Sequence, residues 1–177
     1  SYSAQYLNDS WNSIEMVPIN SVDDFLSAFE TVTPDNYNNW SDSFKYYYLT
    51  CDLDFSSVLK NWQPKRFVGV FNGNGHTIKG LEFTLDSNSI PYSNIGMFIV
   101  NDGSRSIVCN LNIENCYIAI NEKIGPSENN SWLSLSPLGG VSAYNCTVSG
   151  DMFFTSASNI RTVNACGCCS SGMWGGE

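Results

Sequence analysis

Charged side chains are scarce in this sequence: they make up 14% of its 177 residues, where globular proteins usually carry about a quarter. Basic residues are scarcer still. Eight Lys and Arg stand against 17 Asp and Glu, a net charge of −9, and apart from Lys60, Lys65 and Arg66 they are scattered. Phosphate backbones are held by clustered cations, so this balance argues against nucleic acid as a partner. No apolar run approaches the length of a bilayer span, so a soluble chain with no direct membrane insertion is expected. The single histidine, His76, excludes any multi-His metal site. A signal peptide is also missing and the chain opens at Ser1 without Met, as expected if processing or truncation removed a segment.

What is there favours β-structure. At 42% hydrophobic residues, the chain is long enough for one domain with a real core. With few charges, its polar surface must come from Asn, Ser, Thr and Tyr, types that compete for backbone hydrogen bonds and suit turns and strands. Seven cysteines are an odd number, which rules out a complete internal disulfide framework. Four Asn-x-Ser/Thr sequons, at Asn8, Asn39, Asn129 and Asn145, are about what so Asn- and Ser-rich a chain produces by chance, and carry no weight.

Along the chain, residues 1–17 show no clear periodicity, although Tyr2, Tyr6, Trp11 and Met16 could drape over an end of the fold. Ser21 is a good N-cap with Asp24 in the capping-box position, and Val22, Phe25, Leu26 and Phe29 share one helical face, so a helix is expected near 22–30. Pro34 to Ser43 reads as a loop. Beyond it the period becomes that of strands: a first strand near 46–55 with Leu49, Cys51, Leu53 and Phe55 on one side, then runs at 66–71, 96–100 and 107–120. Gly139-Gly140-Val141 echoes Gly96-Met97-Phe98, and Asn145-Cys146-Thr147-Val148 echoes Asn115-Cys116-Tyr117-Ile118. An irregular repeat of about 20 to 45 residues, with Gly and Asn turns, points to a solenoid.

The order Pro18-Ile19, Asp24-Phe25, Asp52-Leu53-Asp54, Phe67 through Leu81, Gly96-Met97-Phe98 and Asn110-Leu111 resembles the entry region of right-handed parallel β-helix surface proteins, which often carry the Gly-rich repeats called GLUG motifs. The resemblance covers residues 18–118, and Gly140 to Gly150 extends it. It implies an all-β, right-handed parallel β-helix, a short solenoid whose N-terminal cap contains one short helix. The expected division is a cap region over 1–66 and rungs over 67–177, within one structural domain. Family members run on for more rungs, so either a continuation or head-to-tail assembly into a filament is expected at the far end.

Chemical motifs are thin. In Phe71-Asn-Gly-Asn-Gly-His-Thr-Ile78 the glycines precede an alternating run rather than a helix, which argues against a phosphate loop. Gly73, Gly75 and His76 are instead expected at a tight structural corner, with the His76 ring bonded to backbone. No carboxylate or nucleophile lies at a recognisable spacing from His76. Asp52 and Asp54 would share one face of a strand, a geometry useful for calcium or acid–base work, yet their alternation with Leu53 and Phe55 equally describes a solvated side. Cys166-Gly-Cys168-Cys169 lacks the second pair a zinc site needs. Cys116, Cys146 and Cys166 are expected to stack in successive rungs as a mainly buried cysteine ladder. The tryptophans and Tyr46 to Tyr48 could serve as sugar-stacking platforms or fill cap and core. No catalytic residue, metal or cofactor is expected. The expectation is a non-catalytic extracellular or cell-surface module, adhesin-like or exposed on a virion. Its partners would be other protein chains, copies of itself or flanking rungs, with glycans as further candidates. The alternative is a polysaccharide-acting enzyme or carbohydrate-binding module on the same fold.

Overall fold

A computed structural model describes residues 14–32, 43–58, 62–85, 93–99, 105–120, 132–156 and 162–165. It is mostly β, with parallel sheets and one short helix. The helix α1 (Val22–Ala28) forms where its signals lie. Ser21 Oγ accepts the Asp24 N–H at 3.0 Å, while Asp24 Oδ2 accepts the Asn20 N–H at 2.9 Å. The capping box therefore closes one residue further out than on Ser21 itself. Phe29 has already left helical geometry, at φ −113°, so the helix stops short of the expected residue 30. Phe25 and Phe29 are buried, and Val22 and Leu26 pack against the same core.

The strands are β1 (Glu15–Ile19), β2 (Glu30–Thr31), β3 (Lys45–Leu49), β4 (Leu53–Asp54), β5 (Lys65–Arg66), β6 (Gly69–Asn72), β7 (Thr77–Leu85), β8 (Ser93–Ile95), β9 (Ser106–Cys109), β10 (Asn112–Ile120), β11 (Trp132–Leu135), β12 (Ser142–Tyr144), β13 (Thr147–Ser156) and β14 (Thr162–Ala165). They assemble as β1-β3-β6-β9-β12, β4-β7-β10-β13 and β8-β11-β14, with every pairing in these three sheets parallel. From β6 onward the chain visits the three sheets in a fixed cycle. One circuit is 35 residues where Asn112 stacks under Thr147 and Asn110 under Asn145. The irregular spacing expected from the sequence reflects circuits of unequal length, 40 residues from Ser93 to Leu133 and 30 from Trp132 to Thr162.

Each circuit sends alternate residues inward. Tyr47, Phe71 and Val108 form one buried column and Leu53, Ile78 and Ile113 another, each residue in register with the next. The strand expected over 46–55 is in fact two strands in different sheets. Leu49 and Leu53 are both buried, but across a corner, where the Thr50 N–H donates to Ile19 O at 3.1 Å. Glu15–Ile19, too short to show a period, becomes β1 by pairing with β3.

Helix α1 lies at the first-circuit end, between β1 and β2. Phe25 packs edge-on against Phe55 and Phe71, at ring centroid distances of 5.5 and 6.0 Å, and tilted against Phe98 at 5.8 Å. The helix has no basic residue in its last turn. Lys65, from β5, reaches in instead: its Nζ donates to Leu26 O at 2.8 Å and to Thr31 Oγ1 at 2.9 Å. That supplies positive charge to the carbonyl end of the helix, and burial lowers the Lys65 pKa. The antiparallel β2–β5 pair beside it is tied by an Arg66–Glu30 ion pair.

Candidate functional site

The Gly-rich corner between β6 and β7 gathers most of the polar chemistry. Its turn is closed by the His76 N–H donating to Gly73 O at 2.8 Å. Asn74 and Gly75 hold left-handed φ values of 52° and 81°. Gly73 serves a different purpose, because a Cβ there would lie 2.5 Å from Asn110 O and 2.8 Å from the Leu111 Cα of the adjoining circuit.

His76 is not held by backbone through its ring. Nδ1 lies 3.2 Å from Asp52 Oδ1, and the same oxygen accepts the Thr77 N–H at 2.9 Å. This pair was not legible in the sequence, since 24 residues separate its members. Only the β4–β7 register, Leu53 with Ile78, brings Asp52 beside the corner. Asp54 sits next to it. Its Oδ1 accepts the Ser56 N–H at 2.9 Å and the Ser56 hydroxyl at 2.5 Å, and its Oδ2 lies 3.6 Å from Lys79 Nζ. The two aspartates therefore do not act as a pair: each is engaged separately. Among the described residues the His76 ring hydrogen-bonds only Asp52, so a nucleophile to complete a triad is not in place. The described residues contain no group of three or more His, Cys, Asp or Glu able to hold a metal.

These hydrogen bonds set a pH dependence. The Thr77 N–H, followed by His76, holds the Asp52 carboxyl below its ordinary value of 3.8, and the Ser56 hydroxyl and N–H do the same for Asp54. Both groups are more acidic folded than unfolded. The stability they give is complete above the unfolded value and is lost as pH falls through the lower folded value. Denaturant midpoints should thus drop as pH falls below about 4, and an Asp52→Asn/Asp54→Asn variant should show a shallower drop there.

The repeating polar feature is an asparagine column, not a cysteine ladder. Asn145 Nδ2 donates to Asn110 Oδ1 at 2.8 Å, Asn110 Nδ2 to Asn72 Oδ1 at 3.2 Å, and Asn72 Nδ2 to the Tyr46 hydroxyl at 2.7 Å. Asn110 and Asn145 take φ values of 53° and 52° at their corners, a conformation asparagine tolerates. Cys116 and Cys146 do not stack. Cys116 is in register with Leu81 and Met152, whereas Cys146 sits one residue before Thr147, which pairs with Asn112. The two Asn-Cys dipeptides lie 30 residues apart in the sequence, short of the 35-residue offset here, so Asn115-Cys116 falls inside β10 while Asn145-Cys146 falls at the corner between β12 and β13. Cys166 lies outside the described residues, as do Cys168, Cys169, three of the four sequons and Trp11, Trp40 and Trp174. Trp62 is a core residue, its ring 4.8 Å from that of Phe83.

Cys51, Cys109 and Cys116 are free thiols. Burial pushes the Cys116 thiol up to about 12, and burial with Cys146 nearby raises that of Cys109. Thiolate is the reactive form. Maleimide at neutral pH should therefore leave Cys116 unlabelled in the folded protein and label it once denaturant is added, as peptide mass spectrometry would read out.

Compared with known protein families, with curated proteins and with solved structures, the chain finds no match in any of the three.

Proposed function

We propose that the chain is a right-handed parallel β-helix, a short solenoid with an N-terminal cap, acting as a non-catalytic extracellular structural or adhesin-type module at a cell or virion surface. One observation carries this reading. β12, β13 and β14 are the last strands of all three parallel sheets, and among the described residues none has a strand on its outer side. Three neighbouring sheet edges offer a template for further strands. The opposite end supports a directional contact, because α1 lies there and Phe25 plugs the core. Head-to-tail growth would have to displace that helix, whereas two open ends can meet about a two-fold axis. Its partners are thus further rungs or the open end of a second copy. Light scattering on the size-separated protein tests this. A concentration-dependent dimer is expected, filaments would mean that the helix yields to head-to-tail contact, and a monomer at all concentrations would sink the assembly.

The alternative, a polysaccharide-acting enzyme or carbohydrate-binding module, is favoured by the His76–Asp52 contact beside Asp54 and Lys79. Cleavage of a polysaccharide by the purified protein, abolished by Asp52→Ala with Asp54→Ala, would replace the non-catalytic reading.

A further inference from the structure

We infer that the outer face of the sheet β4-β7-β10-β13 carries a binding furrow for a linear glycan without negative charge. The furrow has a volume of about 280 Å³, near the lower end of the roughly 300–1,000 Å³ of small-molecule clefts. Its origin lies in the backbone. Gly80, Asn115 and Gly150 hold left-handed φ values of 68°, 55° and 77° at matching places in β7, β10 and β13. Gly80 and Asn115 interrupt the in–out alternation, so Ile78 and Leu81 both point inward, as do Ile113 and Cys116, and β13 bulges by one residue at the same place. The interruption leaves a gap between two rows of outward side chains. A Cβ on Gly80 would come within 2.6 Å of Ser56 Oγ, and one on Gly150 within 2.2 Å of Asn115 Oδ1, so the floor stays bare at both. Because the irregularity recurs in neighbouring parallel strands, the gap runs across them, along the stack, at about 4.8 Å per strand.

The walls supply the chemistry. Glu82, Tyr117 and Phe153 stand in register on the three strands, with the two aromatic rings 6.2 Å apart and inclined at 41°. Phe153 is 54% exposed. A phenyl ring turned to water beside a tyrosine offers the flat apolar surface on which the C–H face of a pyranose packs. Glu82 and Asp151 line the same furrow, and carboxylates are strong acceptors for sugar hydroxyls. Charge selects among glycans. Glu82, Glu114 and Asp151 outnumber Lys79, which is itself paired with Asp54. Uronate, sulfate and phosphate groups are repelled from such a surface, while neutral sugars are not.

This inference rests on the carbohydrate-binding reading above and not on the pairing of open ends. Calorimetry with cellohexaose, chitohexaose and hexagalacturonate tests it. Saturable binding of a neutral hexasaccharide is expected, weakened about five- to tenfold by Phe153→Ala and weakened also by Asp151→Asn. Both side chains face solvent, so unchanged circular dichroism should confirm that the variants fold. Three results would overturn the furrow: no binding of either neutral hexasaccharide at millimolar concentration, binding indifferent to Phe153→Ala, or tighter binding of hexagalacturonate. A concentration-dependent dimer that binds no neutral hexasaccharide would remove the furrow and leave the assembly standing. Neutral-glycan binding by a strict monomer would do the reverse.

Discussion

Replacing Phe25 with alanine is expected to lower the unfolding free energy by about 3–5 kcal/mol, the range for deleting a fully buried aromatic side chain. Phe25 is 0% exposed, and its ring meets those of Phe29, Phe55, Phe71 and Phe98 at centroid distances between 5.1 and 6.0 Å. Those four rings come from the helix end and from three later segments of the chain, so no single neighbour can move in to fill the space. Helix α1 is only seven residues long, and a helix that short has no stability of its own in water. It stays folded because its apolar face is anchored. The substitution should therefore loosen the whole first-circuit end, beyond the cost of the cavity itself. Urea unfolding should show a lower midpoint. A reduced slope would add that the native state has already lost buried surface, as expected if the cap frays. Leu26→Ala serves as the comparison, since Leu26 shares the face but is only partly buried, and it should cost less than half as much.

The second large effect is expected at the corner. Gly73→Ala should destabilise by about 3 kcal/mol, at the upper end for overpacking. The added methyl would meet Asn110 O and the Leu111 Cα, which are backbone atoms of the next circuit and cannot rotate away. Relief requires the two circuits to separate, which strains the bond from the Gly73 N–H to Cys109 O at 2.8 Å. A methyl on Gly75, two residues on, would find nothing within 4 Å, but the backbone there holds a φ of 81°. The obstacle at Gly75 is conformational. Gly75→Ala should cost about 1–2 kcal/mol, and Gly75→Asn less, because asparagine tolerates the left-handed region. Asparagine at position 73 gains nothing by that tolerance and should be as damaging as alanine. Equal costs at the two glycines would contradict the separate roles assigned to them.

Much of the architecture could be read locally. The Ser21 cap with Asp24, the Val22–Phe29 apolar face and the glycine corner rest on interactions within a few residues, which the order of residue types displays directly. The scarcity of charge and the abundance of Asn, Ser and Thr likewise pointed to strands and turns. Pairing distance decided the rest. Asp52 meets His76 only because Leu53 lies beside Ile78. The asparagine column depends on circuits that bring residues 38 and 35 apart into line, while the conspicuous Asn-Cys repeat puts one dipeptide inside β10 and the other at a corner. The furrow on the outer face depends on Gly80, Asn115 and Gly150 falling side by side. In the sequence they are two glycines and an asparagine in unrelated surroundings, and the alternation they break looked intact around Gly80. Sequence alone determined the short helix, the glycine corner and the β-rich character of the rest, since those preferences are intrinsic to each stretch of backbone, whereas β1 and the break between β3 and β4 came from pairing. Which side chains stand next to one another was decided by the tertiary structure, because register between circuits is fixed by the packing of the shared core.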